Sequence, residues 1–496
     1  MNTKYAAFIL IPCGISVILA AFLVAGCGPS EVEPMEPADA SEIVATIGDY
    51  TITKAELKQR LAQSVRPQRE SYNRLSEPVT AQSVLREMLI EKAMILEGRE
   101  LGYAEDESVS TSINRYRQRR LIQAFLNDYV EENIPVSQAE IDQRIEADPN
   151  LGPQQARAQV LQAKFGPVYQ ELYSELQEKL DLKKVERDFG RAAQIHERLL
   201  KQPAEARGRT VFWITNQQIR TELSRDERNI VLATYTGGQF TLYDWFRTLN
   251  EIAPPGRPKD LSTPAGVERL LDRGLEPTLL EAEAVSRGYD QREELVRDIR
   301  AREDMAILGK VRMEKYNEIP PPDDEQIKAH FEQNEAMFAR EAMLKIDQIW
   351  CRDLETAELV KKALDDGTAF DAVKAAHSMK AEEPARNAYA SSEGVFWEEL
   401  WKGEPDEVVG PIKGFYEDQI RWRVVRILEK TPPEPRPYSD SVANQVRSAL
   451  MAQRSRDHIE RYGVSLLEKY PHEVYSGRIE DIDPLEVTPN EVGAGQ

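Results

Sequence analysis

The residue best placed for covalent chemistry is a cysteine near the start of the chain. Lys4 precedes an apolar run over residues 6–26, and Leu23-Val24-Ala25-Gly26-Cys27 matches the lipobox of bacterial lipoproteins. In that motif the cysteine becomes the lipidated N-terminus, so we expect residues 1–26 to be a signal peptide and Cys27 to carry lipid. The alternative is an uncleaved transmembrane anchor, because about 20 apolar residues can span a bilayer.

The cysteine count and the lipobox together predict the compartment. We expect a cell-envelope protein, lipid-anchored and facing the periplasm, and Gly28 after the cysteine is compatible with the outer membrane. Of the three cysteines, Cys13 would leave with the signal and Cys27 would carry lipid. Only Cys351 would remain, so we predict no intrachain disulfide and a buried, unreactive Cys351.

Metal and cofactor chemistry find no support in the remaining residues. The five histidines are scattered and have no zinc-ligand spacing; they are His196, His330, His377, His458 and His472. The sequence also lacks a glycine-rich phosphate loop and a Gly-x-Ser-x-Gly elbow. We therefore predict no metal and no cofactor.

The charge balance bears on the kind of partner. The chain has 85 acidic and 64 basic residues, a formal charge of −21. Nucleic-acid binding needs a concentrated basic surface, so a nucleic-acid partner is disfavoured.

Residues 341–430 have the pattern of one small domain. Residues 343–350 and 420–428 have strand-like alternation, whereas 355–364 and 370–377 have helical spacing. We expect Leu344, Ile346 and Trp350 to share one buried face of the first strand. In the second strand we expect the apolar residues to point one way, with the arginines between them. The prediction is a β-α-α-β unit.

This unit resembles a parvulin (rotamase) domain. The resemblance is carried by residues 346–351, 366–378, 393–396, 407–412 and 424–429, with Gly410-Pro411-Ile412 and residues 370–378 the best matched. It implies peptidyl-prolyl cis-trans isomerisation of an X-Pro bond bound in an apolar cup.

The positions that match the family's active site depart from its pattern. The first-strand histidine falls on Gln348, the cysteine or aspartate after the second helix falls near Lys380, and the last-strand histidine falls near Arg423. Residues 397–405, after Phe396, are too few for the helix that supplies the apolar pocket. We therefore expect a degenerate site, with Arg423 turned to solvent or paired with a carboxylate such as Asp347.

A second pattern is an internal repeat at an offset of 188 residues. Residues 44–52 and 232–240 each read as a tight hairpin, followed by a helix start at Thr53/Glu56 and at Thr241/Asp244. Matches continue into the helices that follow, so we infer a duplicated unit. Its first copy has an apolar stripe that we interpret as core rather than as an exposed client surface: Leu85, Met88, Leu89 and Leu96.

A hairpin leading through helices into a parvulin-like unit is similar to the exported SurA and PrsA class of foldases. Here the helical module is doubled, and no parvulin domain follows the first copy. Residues 151–202 instead predict a protruding helical hairpin, and Phe212-Trp213-Ile214 predicts an edge strand or a remnant of a lost domain.

These patterns predict an α+β chain, mainly helical, with a duplicated SurA-like module and a small degenerate parvulin-like domain. The predicted domains are a signal peptide (1–26), a flexible tether (27–42), a first repeat (43–150), a helical insertion with the possible edge strand (151–229), a second repeat (230–338), a parvulin-like domain (339–431), a C-terminal helix (438–470) and a disordered acidic tail (471–496).

Three functional classes fit this organisation. We favour a chaperone whose repeats bind unfolded or proline-containing exported polypeptides, attached to the membrane by its lipid anchor. The alternatives are an active prolyl isomerase and a non-catalytic envelope scaffold. The sequence does not indicate an oligomeric state.

Overall fold

The computed structural model describes residues 42–67, 79–202, 204–206, 209–417 and 419–486. The predicted signal peptide, Cys27 and nearly all of the tether lie outside these residues. Within them, no helix is both long enough and apolar enough to cross a membrane. The chain is mainly helical with a small sheet domain, which confirms the predicted fold class.

The helices are numbered here in chain order. They are α1 (Lys54–Ser64), α2 (Ala81–Glu100), α3 (Glu107–Asn133), α4 (Gln138–Ala147), α5 (Pro153–Lys179), α6 (Phe189–Lys201), α7 (Asn216–Glu222), α8 (Arg225–Arg228), α9 (Leu242–Glu251), α10 (Pro264–Ser286), α11 (Glu293–Asn317), α12 (Asp324–Gln333), α13 (Leu354–Asp365), α14 (Phe370–His377), α15 (Ala390–Glu393), α16 (Trp397–Trp401) and α17 (Asp440–Lys469).

The strands are short, except in one sheet. They are β1 (Ile43–Ile47), β2 (Tyr50–Thr53), β3 (Lys183–Lys184), β4 (Ala204–Ala206), β5 (Arg209–Val211), β6 (Val231–Tyr235), β7 (Gly238–Thr241), β8 (Met343–Cys351), β9 (Arg386–Tyr389), β10 (Val408–Tyr416), β11 (Gln419–Thr431) and β12 (His472–Val474).

The described residues fall into two compact units. The central unit is Ser110–Glu303, and the terminal unit joins the residues up to Val109 to those from Asp304 onward. The division lies within α3 and α11, so the units do not coincide with the predicted repeats. The reason lies in how each hairpin acquires its third strand.

In the terminal unit, β1 and β2 form the predicted hairpin around Gly48, whose φ is +52°. The Thr53 hydroxyl accepts from the Glu56 backbone N–H at 3.2 Å, and the Glu56 carboxylate accepts from the Thr53 N–H at 2.7 Å. This capping box starts α1 as predicted. The third strand of the sheet is β12, which pairs antiparallel with β1.

The pairing of β12 corrects the prediction of a disordered tail from residue 471. Ala45 lies opposite Val474, and Ile47 opposite His472. Ile479 beyond the strand is buried. The pairing satisfies backbone hydrogen-bonding groups of β1 that would otherwise be open at the edge of the sheet, and this requirement is not visible in the composition of the tail. Residues 487–496 lie outside the described part.

The C-terminal helix α17 packs against α2, where Gly463 permits close approach. A Cβ at Gly463 would overlap the Ile90 side chain. Lys469 Nζ also bonds Glu97 and Glu100, at 2.5 and 2.8 Å. Leu85 and Leu89 of the predicted stripe are buried in α2, and Met88 and Leu96 are partly buried, so the stripe is core as expected.

The central unit repeats this arrangement with its own hairpin. β6 and β7 pair around Gly237, and Thr241 with Asp244 forms a second capping box. The third strand here is β3, which follows the long helix α5 and pairs with β6. Each hairpin is thus completed by a helix and strand that follow the other copy in sequence.

Helix α5 is not a protruding hairpin, contrary to the prediction. It contributes Phe165, Tyr169, Leu172 and Leu176 to a buried cluster with residues of α3 and α10. The expected edge strand is also wrong: β5 ends at Val211, and Phe212 lies in a bend with 88% of its surface exposed. Leucines at four-residue spacing, Leu172, Leu176 and Leu180, are visible in the sequence, and the structure shows that this spacing marks a buried face rather than a protruding segment.

A histidine sits in the second core of the central unit. His196 is buried against Trp245 and Phe246, and its Nδ1 lies 3.0 Å from Ser262 Oγ. Burial, together with the nearby charge of Arg257, lowers its pKa to about 4. The imidazole therefore serves as a neutral packing group at neutral pH.

The parvulin-like sheet domain is inserted between α12 and α17 of the terminal unit. These helices pack through Ile327, Phe331, Val442 and Val446. Arg340 and Glu434, where the chain enters and leaves the domain, exchange backbone hydrogen bonds at 2.8 and 3.2 Å. In the central unit the corresponding helices α4 and α5 are joined by the turn at residues 148–152.

Candidate functional site

The predicted site residues lie on a four-stranded antiparallel sheet in the order β10-β11-β8-β9. Two strands, β9 and β10, are additional to the predicted β-α-α-β pattern. Helices α13 and α14 cover one face. The core on that face is Ile349, Cys351, Ala357, Val360, Phe370, Val373 and Val424.

The opposite face of the sheet has an apolar half and a charged half. The apolar half is Leu344, Ile346, Ala388, Leu400, Ile412, Val425 and Ile427. Arg423 pairs in register with Trp350, and Val425 with Gln348, so the charged half continues along the same strands. Both faces of the sheet are therefore buried. A strand in such a sheet lacks the simple alternation of apolar and polar residues that marks a strand with one buried face.

Arg423 is the centre of the charged half. Its side chain is fully buried, and its Nη2 donates to Glu393 Oε2 at 2.6 Å. Its Nη1 donates to Gln348 Oε1 at 2.9 Å. Glu393 is also buried and accepts a second hydrogen bond, from Arg386, at 2.7 Å. The guanidinium thus makes short, charge-assisted bonds through both Nη atoms, while its buried Nε has no described hydrogen-bond partner.

The titration of this pair follows from its partners. Burial opposes ionisation of Glu393, but attraction from Arg423 and Arg386 outweighs it and lowers the pKa of the carboxyl below its usual range. Burial lowers the pKa of Arg423, and the charge of Glu393 opposes that effect. Both groups are charged at neutral pH.

The surroundings leave Arg423 no other position. Its guanidinium lies 5.2 Å from the Trp350 ring centroid. A Cβ at Gly414 would overlap its Nε, so a glycine is needed there. Trp350 Nε1 and Gln348 Nε2 both donate to Glu383 Oε2, at 3.0 and 3.2 Å. The arginine fills the space between strand, indole and carboxylates.

Of the two expectations for Arg423, exposure to solvent is wrong, whereas the structure does pair it with a carboxylate. That carboxylate is Glu393 rather than the suggested Asp347. Asp347 lies on the helix-covered face, where it pairs with Lys374 at 2.5 Å and with Arg426 at 3.1 Å. Successive strand residues point to opposite faces, so residues 347 and 423 cannot meet.

The structure brings together only some of the predicted site residues. Gln348 and Arg423 are in direct contact. Phe396 packs on Phe415, with ring centroids 5.0 Å apart, next to Gly414. Lys380 lies at the rim, where its Nζ bonds Glu417 at 2.8 Å, and it has no described contact with Arg423. Cys27, the predicted lipidation site, lies outside the described residues.

Sequence reasoning missed Glu393, Glu383 and Arg386. Glu393 opens the Glu-Gly-Val-Phe segment that carries the family resemblance, yet its partner lies 30 positions away. One indication of such a partner was available in the sequence. An arginine in the middle of a buried strand requires a carboxylate partner.

The segment expected to be too short for the pocket helix contains one short helix. α16 spans only Trp397–Trp401. Leu400 points into the apolar core, and the two tryptophans stack at 5.3 Å on the edge of that core. The segment thus contributes to the packing of this apolar core.

Other reactive groups are lacking around this site. Cys351 is buried, and burial raises the pKa of its thiol to about 11. No cluster able to hold a metal ion occurs among the described residues. At the centre of the site, the described titratable groups Arg423 and Glu393 are engaged with each other.

A protein-family model matches the part of the chain that contains this sheet domain. Residues 322–442 match the family described as the PPIC-type PPIASE domain. Residues 322–442 therefore resemble a parvulin-type domain, and the resemblance of this segment is to peptidyl-prolyl isomerases. The comparison with curated proteins gives no match.

Several solved structures are similar to the chain. One is reported for the SurA-like chaperones PEB4 and Cj1289 of Campylobacter jejuni (12% identity, covering 54% of this chain and 96% of that one, TM-score 0.22). Two others are PrsA from Bacillus anthracis (15%, 41% and 89%, TM-score 0.21) and from Bacillus cereus (16%, 53% and 99%, TM-score 0.21). TM-scores this low do not establish a shared overall arrangement.

The buried pair generates a stability prediction. Arg423→Ala should lower the free energy of unfolding of the sheet domain by about 3–5 kcal/mol, because it leaves Glu393 charged and buried without its main partner. The loss is measured by urea unfolding monitored through hydrogen exchange of the backbone amides in β8 and β11.

The matched control is Arg421→Ala on the same strand. Arg421 bonds Gln419 and the Arg352 carbonyl at a partly exposed position, so its loss should cost about 1 kcal/mol or less. Equal losses in the two variants would contradict the role assigned to the pair.

Proposed function

We propose that the protein is an envelope-anchored chaperone that binds unfolded exported polypeptides and whose parvulin-type domain has little or no isomerase activity. The observation that carries this proposal is the Arg423–Glu393 pair at the centre of the sheet face. A prolyl isomerase must lower a barrier of about 18–20 kcal/mol for rotation about the imide bond, and it needs room for the proline ring.

The buried network supports the loss of catalysis on energetic grounds. A proline ring at the centre of the site would have to displace a guanidinium that holds hydrogen bonds to Glu393 and Gln348. That displacement would leave the buried Glu393 carboxylate with Arg386 as its one remaining described ion-pair partner, and breaking a buried pair costs several kcal/mol. Binding of an X-Pro segment at the centre is thus opposed by the same interactions that hold the domain together.

Client binding needs exposed apolar surface, and the apolar stripe of α2 is not available because it is core. Helix α11 has such a surface on its terminal-unit part. Met305 and Met313 are 61% and 60% exposed, and Tyr316 is 43% exposed. Gly309 lies between them with open space around it. Spacings of four, four and three residues place all four on one helix face, which we call the methionine stripe.

Methionine suits a surface that binds many sequences. Its unbranched, polarizable side chain adapts to different apolar partners. The stripe belongs to the second predicted repeat and lies outside the sheet domain, which supports client binding by the repeats. The net charge of −21 keeps such a surface soluble and favours basic or neutral clients.

Attachment through a lipid on Cys27 completes the proposal. Its support is the lipobox at Leu23–Cys27. Mass spectrometry of the protein extracted from membranes should show loss of residues 1–26 and a lipid mass on Cys27. A chain that retains Met1 with an unmodified Cys27 would exclude this anchor.

Isomerase activity is the direct test of the damaged site. In a protease-free assay with a short prolyl peptide, we expect turnover close to the uncatalysed rate, because Arg423 occupies the site and α16 supplies no cup. An intact parvulin serves as the positive control in the same buffer. Comparable turnover by the two proteins would contradict the proposed lack of isomerase activity and favour an active isomerase.

The methionine stripe gives a second test. Met305→Glu with Met313→Glu should weaken binding of an unfolded basic client roughly tenfold or more, because burial of one methionine contributes about 1.5–3 kcal/mol. Light scattering of an aggregating client measures the lost protection.

The matched control is Met337→Glu. Met337 is 45% exposed in the same unit but lies outside the stripe, so protection should be retained. If all three methionine positions behave alike, the stripe is not the client surface. If the unmodified protein protects no client, the scaffold alternative is favoured.

A further inference from the structure

The segment that follows α1 lies against the sheet domain within the terminal unit. Val65 is buried at the end of the helix, and Arg66 reaches the β10–β11 turn. Arg66 Nη1 donates to the Glu417 backbone carbonyl at 2.9 Å. Its guanidinium also lies 5.8 Å from the Phe415 ring centroid. The arginine thus makes a directed hydrogen bond and a cation–π contact with one strand end.

Pro67 contacts the same place from its other side. A Cβ at Gly394 would lie 3.3 Å from Pro67 Cδ and 3.3 Å from Phe415 Cε2. Gly394 has a φ of +55°, which favours glycine, and its missing side chain leaves the room that the proline ring occupies. We call Gly394, Phe396, Phe415 and Glu417 the aromatic edge.

The aromatic edge is next to the charged centre in sequence and in space. Gly394 follows Glu393, and Phe415 follows Gly414, against which Arg423 packs. The centre of the site is filled by the ion pair. The aromatic edge instead offers aromatic rings, a backbone carbonyl that accepts a hydrogen bond, and the space beside Gly394. Those features suit a proline preceded by a residue that donates hydrogen bonds.

We propose that Arg66-Pro67 is a built-in ligand of the aromatic edge, and that it competes there with peptide segments of the same chemistry, a proline preceded by arginine. The dipeptide is tethered to the fold by α1, so its effective concentration at the edge is on the order of millimolar. The edge is therefore occupied in the resting protein, and a client segment gains access only when the dipeptide leaves.

The described contacts of Arg66-Pro67 suit a segment that leaves the aromatic edge and returns to it. We call this dipeptide the latch. Arg66 and Pro67 are partly buried, and the acceptor residue Glu417 is exposed. Described polar contacts of Arg66 are limited to one carbonyl, and the Glu417 carboxylate is engaged by Lys380. Among the described contacts, release breaks the hydrogen bond and the ring contact of Arg66 and the packing of Pro67 at Gly394, while Val65 remains buried at the end of α1.

The test uses the full chain and a short fluorescent peptide of sequence Ser-Val-Arg-Pro-Gln. The double variant Arg66→Ala/Pro67→Ala should bind this probe roughly tenfold or more tightly than the unmodified protein, because apparent affinity rises with the fraction of open sites. Fluorescence anisotropy gives both dissociation constants. Circular dichroism establishes that the variant is folded.

The chain offers a matched control in a second Arg-Pro dipeptide, Arg436-Pro437, which follows β11 and is largely exposed. Arg436→Ala/Pro437→Ala should leave probe affinity unchanged. An equal gain in this control would overturn the proposal, and so would an unchanged affinity in the Arg66→Ala/Pro67→Ala variant.

Two further arms locate the probe. A peptide with alanine in place of its proline should lose the gained affinity. Gly394→Ala, added to the Arg66→Ala/Pro67→Ala variant, should also remove it by filling the gap. Retention in either arm would show binding elsewhere and overturn the proposal. Aggregation of clients is not a readout here, so failure of the latch and failure of the chaperone proposal are distinguishable.

Discussion

The sheet domain depends on one buried ion pair, Arg423 with Glu393. Removing both charges from water costs several kcal/mol each, and only short bonds with complete partners offset that cost. Here Gln348 and Arg386 supply further hydrogen bonds to the pair, and Gly414 gives the guanidinium room, although Arg423 Nε has no described hydrogen-bond partner. An apolar pair of the same volume would be at least as stable. The pair therefore contributes defined geometry: it fixes β11, the α15 turn and β8 relative to one another.

A second constraint, the open edge of a two-stranded hairpin, organises the helical part. Two strands alone are marginally stable, and each hairpin here gains a third strand. Because β3 follows the first copy but pairs with the second hairpin, and β12 follows the second copy but pairs with the first, neither copy is complete by itself. This exchange explains why the compact units cut across the sequence repeats. It also means that α5 and α17 have equivalent roles, because each is followed by a strand that pairs with the hairpin of the other copy.

The features predicted correctly from sequence are those with local causes. The two hairpins follow from glycine turns and alternation, and the helix starts at Thr53 and Thr241 from residues three positions apart. The burial of Arg423 could not be predicted, because its partner is 30 residues away and strands buried on both faces lack clean alternation. The pairing of β12 with β1 spans more than 400 residues, so local composition suggested an acidic tail. The apolar spacing of α5 is visible in the sequence, but the residues that it packs against, in α3 and α10, are not.

The closed centre and the occupied edge are connected through neighbouring residues. Glu393 and Gly414 are each followed by a residue of the aromatic edge, so the ion pair that fills the centre also sets the positions of Gly394 and Phe415. The domain enters and leaves through Arg340 and Glu434, which bond each other, and its insertion leaves the packing of α12 on α17 undisturbed. A domain held this way can change its site without a cost to the helical fold. A charged centre fixed by the ion pair thus lies beside an edge that contacts Arg66 and Pro67, so both features of this sheet face depend on the same short segments around Glu393 and Gly414.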